Sequence, residues 1–411
     1  MGKRFRKTLY IVLAIWVLFY VAILLCDARF HFLPWWDIAL YHELAGKLFS
    51  GGVPYVDFTF EYPPASILIF AIPRLLSRDI DVYRQIFQFF NFLAGAGLLS
   101  LSGLYAKKTG MNYRSVMIFQ LAGLILISPI LLTRFDVIVA LVTFGGFYAY
   151  LKGVQEKSRL KYIGYFLIIL AGFSKLYPFL IVPLLFLSEY KLHGYKMVLK
   201  SVLVALFLCL PFIIFLLIGN SGLAELLNYH SERGLEIEST YASALLILKK
   251  LGIMENVTVM YSHGSFGVSG PAASFLASES FIILILSYIL LVVKALLLKW
   301  KDKPFQLLVK IVTLTVLLFI ITSKVFSTQY YIWLFPWLIL AIFIAYDSSK
   351  RFIIILLILI SAFLASLIFP FLWWYLVGEN SLVIGILLVR NLILGVLFFH
   401  LLSTLVSTEK I

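Results

Sequence analysis

Apolar runs of about twenty residues recur along the whole chain, and that recurrence limits what it can fold into. A bilayer's hydrocarbon core is about 30 Å thick and takes about 20 helical residues to cross. Runs fall near 8–26, 85–105, 115–133, 137–151, 162–174, 177–189, 198–219, 272–297, 305–322, 329–346, 352–370 and 382–404. A shorter run, 64–77, is interrupted by Pro73 and Arg74 and is expected to be tilted or re-entrant. None of the runs has the period-two alternation of a membrane β-strand. With a mean hydropathy of +1.02, the expected fold is an all-α polytopic membrane protein. A single transmembrane domain covers residues 1–411, with about 11–13 transmembrane helices.

Charge orients the spans. The formal charge of +14 is spread over short loops rather than massed on one face, which argues for loop anchoring and against nucleic acid. Basic clusters occur at 3–7, 107–114, 152–161, 191–200, 299–303 and 350–351. With these inside, the outer set is 27–64, 134–136, 174–178, 220–271 and 324–330; Lys249 and Lys250 run against the rule. The first run follows MGKRFRK without a small-residue cleavage site, so a retained signal anchor is expected. Cys26 and Cys209 both lie in apolar runs and make neither a disulfide framework nor a metal site. The chemistry is then expected on the extracytoplasmic face, opposite the basic loops.

The first outer loop, 27–64, concentrates that chemistry. DIALYHELAGKLFSGGVPYVDFTFEYPP, from Asp37 to Pro64, holds four carboxylates and six aromatics in a chain only 13% charged. Ile38, Tyr41, Leu44, Ala45 and Leu48 fall at helical spacing opposite His42, Glu43 and Lys47, which predicts an amphipathic helix lying in the interface. Gly51-Gly52 would end it. Asp37 stands just before the first turn, where capping and catalysis both account for a carboxylate. The aromatics suit either an interfacial belt or a sugar surface.

Four stretches resemble the GT-C membrane glycosyltransferases, most closely glycosyltransferase family 87, the polyprenyl-phosphate-mannose-dependent α-mannosyltransferases. They are the Asp37–Pro64 loop, GFSKLYPFLIVPLL (172–185), HSERGLEIESTYAS (230–243) and KVFSTQYYIWLFP (324–336), in order along the chain. The resemblance implies a GT-C type helical bundle and an inverting hexosyl transfer, with mannose moving from a polyprenyl or dolichyl phosphate. The acceptor would be a lipid-linked sugar or glycan, and no cofactor or metal is implied. Asp37 would be the catalytic base. Lys175, Arg233, Lys324 and Arg134 are the candidate donor-phosphate contacts. Candidate sugar or acceptor contacts are Tyr41, Asp57, Glu61, Tyr62, Asp136, Tyr177, His230, Glu238 and Gln329. The chain departs from the family at Arg134-Phe135-Asp136, where many members carry Gly-Gln-x-Asn, so another lipid-phosphate sugar is the second reading. A transporter or flippase is the third, disfavoured because the ionisable groups gather in loops and no internal repeat is evident.

Three further features have plainer explanations. Asp79-Ile80-Asp81 matches a DxD metal motif, but tripeptides of this kind occur by chance. Asn256-Val257-Thr258 fits a glycosylation sequon too common to use. Arg390, in the last apolar run, needs a carboxylate, a carbonyl or a lipid phosphate beside it.

Overall fold

The computed structural model describes residues 2–218, 222, 224, 228, 231–300 and 303–406. It divides into two compact units, Met1–Leu121 with Leu131–Ser231, and Ala122–Ile130 with Glu232–Ile411. Among the described residues, eight helices are long and apolar enough to cross a membrane. Expected spans at 115–133, 162–174 and 329–346 correspond to shorter apolar helices, and the one at 177–189 to a 3₁₀ turn followed by a 12-residue helix.

The first unit begins with α1 (Lys3–Phe30), α2 (Trp36–Phe49), α3 (Ser66–Leu76) and α4 (Ile80–Lys108). Helices α1 and α4 run antiparallel. Lys107 lies 4.9 Å over the Phe5 ring at one end, and Trp16 Nε1 donates to the Phe92 carbonyl at 3.0 Å further along. Helix α3 has 11 residues, about 16 Å, too short to cross. Tyr83 of α4 donates to the Phe70 carbonyl at 3.1 Å, and His42 of α2 meets the Arg78 carbonyl at 2.9 Å. The start of α4 therefore lies beside α2, and the 64–77 run folds back instead of spanning. Asp79 caps α4, its carboxylate accepting from the Asp81 and Val82 amides, which gives the DxD match a structural job.

Helices α5 (Tyr113–Leu126) and α6 (Ser128–Leu131) are divided between the units. The first unit continues with α7 (Asp136–Gln155), α8 (Leu160–Gly172), a 3₁₀ turn at Tyr177–Leu180, α9 (Val182–His193) and α10 (Tyr195–Ile218). Helices α7 and α8 pack backbone to backbone through glycine. A Cβ on Gly164 would stand 2.6 Å from the Tyr150 nitrogen, and one on Gly153 would stand 2.0 Å from the Lys161 nitrogen. Small residues serve membrane helices in this way where dispersion drives association. At the opposite end from α2, Lys161 pairs with the fully buried Glu189 at 3.3 Å.

The second unit contains β1 (Leu235–Glu236), α11 (Thr240–Lys250), β2 (Thr258–Ser262), β3 (Ser265–Ser269) and α12 (Pro271–Leu297). It continues through α13 (Pro304–Thr322), α14 (Tyr330–Ala345), α15 (Ser348–Ser366), a π segment at Leu367–Phe371, α16 (Trp373–Val377) and α17 (Ser381–Val406). The expected long loop of 220–271 thus carries an antiparallel sheet of order β1-β3-β2, a small departure from the all-α expectation. One face of that sheet, with Leu235, Val259, Phe266 and Val268, joins an apolar cluster with Leu245, Leu246, Ile384 and Leu387.

Arg390 finds its partners here. Its Nη1 donates to Glu238 Oε1 at 2.6 Å, its Nη2 donates to the Glu238 carbonyl, and its Nε donates to Asn391 Oδ1 at 3.0 Å. Thr328 donates to the same Glu238 oxygen at 2.9 Å, and Asn391 donates to Ser243 Oγ at 3.1 Å. Arg390 also stacks 4.3 Å over Phe326. Together these bonds fasten the start of α11 to α17. Removing one partner of such a buried pair costs about 3–5 kcal/mol. Arg390→Ala is expected to lower the thermal midpoint in detergent by several degrees. An unchanged midpoint would show that the network does not hold the unit together.

Candidate functional site

The site of the first unit is assembled from three turns at its α2 end. Helix α2 starts one residue earlier than the carboxylate, so Asp37 lies inside the first turn and not before it; Trp35 is at the cap and supplies no side-chain bond. Capping therefore does not explain Asp37. Its carboxylate instead pairs with the guanidinium of Arg134, with 13% and 21% of the two side chains exposed. Position still matters, because a first-turn anion is favoured by the helix dipole.

Arg134 occupies the turn entering α7, and Asp136 is the first residue of that helix. Lys175 lies just past the C-terminus of α8. The close α7–α8 packing sets these two ends side by side, and Lys175 Nζ reaches Asp136 at 3.0 Å and 3.2 Å. Asp136 is fully buried. The same lysine lies 4.6 Å over the ring of Phe135. Phe135 is the hub of an aromatic wall: Tyr41, Tyr62 and Phe70 each meet its ring edge-on, at 5.5, 5.6 and 5.3 Å. Tyr41 also stacks on Phe70 at 4.3 Å. Edge-to-face rings fix one another's orientation, which holds the charged groups in place.

Burial sets the electrostatics. It pushes the Asp37 carboxyl above its ordinary value of 3.8, while Arg134 and Lys175 pull it down and Glu61 and Asp136 push it up. Burial lowers Lys175 from its ordinary 10.5, with Asp136 opposing. For Arg134 burial acts downward, but the charge of Asp37 outweighs it and secures the cation. The Tyr41 and Tyr62 phenols are raised by burial and stay neutral hydrogen-bonding groups.

The structure brings together Asp37, Arg134, Asp136, Lys175, Tyr41 and Tyr62, with Glu61 near enough to act on Asp37. Tyr41 is fully buried, so its ring walls the site and offers no face to a sugar; Tyr62 is only partly buried. Tyr177 is buried below, its hydroxyl 3.4 Å from Thr143. Asp57 is exposed and accepts from the Val53 amide at 2.7 Å, a loop-shaping role. In the second unit, Glu238 is committed to Arg390, and Gln329 is buried at the entrance to α14. Arg233 and Lys324 are partly buried there; burial, then Arg233, lowers Lys324 from its ordinary 10.5. His230 lies outside the described residues. Sequence reasoning did not single out Phe135 and Phe70, because a buried aromatic carries no local signature of what it walls.

Comparison of the chain with protein-family models and with curated proteins finds no match in either.

The Arg134 pairing has a measurable consequence. Removing the guanidinium leaves the burial of Asp37 less opposed, so Arg134→Gln is expected to raise its carboxyl further. Carbodiimide labelling of the protonated carboxyl, followed by mass spectrometry across pH, reads this directly. The labelling midpoint should move to higher pH in the variant; a midpoint that stays or falls removes Arg134 as the controlling partner.

Proposed function

We propose that this protein is a membrane-embedded inverting glycosyltransferase, one that moves a hexose from a polyprenyl or dolichyl phosphate to a hydroxyl of a lipid-linked or glycan acceptor. The observation that carries this reading is Asp37, a part-buried carboxylate on a non-spanning helix, paired with Arg134 beside a second cation, Lys175. The resemblance of four ordered stretches to GT-C enzymes supports the same reading, and mannose is the sugar it favours.

The chemistry needs little else. A prenyl phosphate is already a good leaving group, so the acceptor hydroxyl is the partner that requires help. Asp37 takes the acceptor proton as the oxygen attacks the anomeric carbon. The bond from that carbon to the phosphate oxygen breaks, and the electron pair leaves with the prenyl phosphate. One displacement inverts the centre, turning a β-linked donor into an α-glycoside. Arg134 and Lys175 oppose the charge on the departing phosphate, in surroundings where fixed cations act strongly. Both are neutralised by carboxylates in the free protein, so an arriving phosphate competes with Asp37 for Arg134 and frees the base as the donor seats. Arg233 and Lys324 belong to the second unit, and no step is routed through them. The charge rule applied to the lysine-rich loops supports an extracytoplasmic site for this centre, in a cell membrane.

Purified protein given labelled polyprenyl-phosphate-mannose and a membrane lipid extract should transfer label. Asp37→Asn should lose about 10²–10⁴-fold of that rate, the usual worth of a positioned base. Equal transfer by the variant removes Asp37 from the role, and no transfer from any lipid-linked sugar sinks the enzyme reading.

The pH profile gives an independent check. The base works only when ionised and its pKa is raised, so kcat/KM should fall as pH drops through a value above 3.8. A rate flat down to that value would contradict a buried carboxylate base. Among the described residues no group of three His, Cys, Asp or Glu is placed to hold a metal ion, and transfer is expected to survive EDTA. Strict metal dependence would return attention to Asp79 and Asp81.

A further inference from the structure

The sheet of the second unit has two unlike faces. Its cross-strand partners Met260 and Gly267, Ser262 and Ser265, and Glu236 and Gly267 share one face, because side chains alternate along a strand and pair across it. Leu235, Val259, Phe266 and Val268 take the other face and join the apolar cluster described above. The polar face is not a plain solvated surface, which would favour long charged side chains. Serines and a glycine keep it low, and it forms the floor of a cavity of about 130 Å³. Ala273, Ser274 and Ala277 of the first turns of α12 close one side, and the 232–234 segment closes another. Gly267 is required here: a Cβ would stand 2.6 Å from the Leu235 carbonyl oxygen.

We propose that this cavity binds one sugar ring of a neutral glycan, through Arg233, Glu236, Ser262, His263, Ser265 and Ser269.

The lining selects the ligand class. Glu232 accepts hydrogen bonds from hydroxyls and repels an anion, Glu236 exchanges hydrogen bonds with hydroxyls, Arg233 donates, and the serines do both. Glu236 is 3% exposed, and one of its oxygens already accepts from the Glu238 amide at 3.2 Å. Burial and the neighbouring Glu238 push its carboxyl upward, toward the neutral form that suits an uncharged ligand. The buried Nε of Arg233 has no hydrogen-bond partner among the described residues, a donor that a ligand oxygen would satisfy. Ligand sites for larger molecules run to about 300–1,000 Å³, so this cavity suits a single ring. The lining does not suit a metal, since no three-ligand cluster occurs among the described residues. As an acceptor-holding site the cavity rests on the transfer reaction proposed above; as a sugar-binding site it does not.

The test is saturation-transfer-difference NMR on the full-length protein in lipid nanodiscs. The probes are methyl α-mannopyranoside, methyl α-glucopyranoside, methyl β-galactopyranoside and, by phosphorus NMR, inorganic phosphate. At least one glycoside should bind saturably, and Arg233→Gln and Ser265→Leu should each weaken it about tenfold or more. Ser265→Leu fills the cavity without touching a charged group, and thermal unfolding checks that both variants fold. Asp37→Asn should leave the binding unchanged. Four results overturn the proposal: no saturable glycoside, phosphate bound in place of the glycosides, binding indifferent to both cavity variants, or binding abolished by Asp37→Asn. Lost binding with intact transfer would sink this inference alone. Retained binding without transfer would sink only the enzyme reading.

Discussion

Backbone contact between two glycine-bearing helices is the constraint from which the first unit's chemistry follows. Without Cβ atoms at Gly153 and Gly164, α7 and α8 approach until one helix's backbone touches the other's. That approach fixes where α7 begins relative to where α8 ends. Asp136 and Lys175 become neighbours for this reason, although 39 positions separate them in the chain. Arg134, two residues ahead of Asp136, is then carried to a fixed place, and Asp37 on the non-spanning α2 can reach it. A longer side chain at either glycine would move the helix ends by ångströms, and ion pairs near 3 Å do not survive such displacements.

Opposite charges in this site are nearly balanced, and under the proposed function that balance has a chemical use. A lone buried carboxylate would be driven neutral by the loss of water. A carboxylate permanently locked to a guanidinium would be a poor base. Asp37 stands between burial, which raises its carboxyl, and Arg134 with Lys175, which lower it. The aromatic wall around Phe135 contributes by excluding water and by fixing the rings that face the charged groups. In the second unit the same chemical types serve a different end. Arg390 bonds to both the carboxylate and the backbone carbonyl of Glu238, a pairing that specifies packing.

Much of this architecture could be read in advance, and particular residues show where the reading stopped. The apolar runs located the long helices to within a few residues, and the spacing of Ile38, Tyr41, Leu44 and Ala45 gave α2 its buried face. The small sheet in the 220–271 loop was missed, because strands of two and five residues leave little periodicity to detect. Asp37 was placed before α2 and lies within its first turn, because the cap falls two residues earlier, at Trp35, and that removes the capping explanation. Glu238 looked like a sugar contact by its motif, yet its partner is an arginine 152 positions away. The need of Arg390 for a partner was evident from its apolar surroundings; the identity of that partner was not.

The sequence by itself determined that this is a polytopic helical membrane protein, because runs of apolar residues have one economical solution in lipid. It also determined which loops carry ionisable groups, since charge is scarce enough elsewhere to make each concentration visible. Only the tertiary structure decided which charges meet: Asp37 with Arg134, Lys175 with Asp136, Glu238 with Arg390. Hydrophobicity is a property each segment carries alone and can be summed along a chain. An ion pair depends on distances of a few ångströms between residues far apart in sequence, and those distances exist only once the helices have packed.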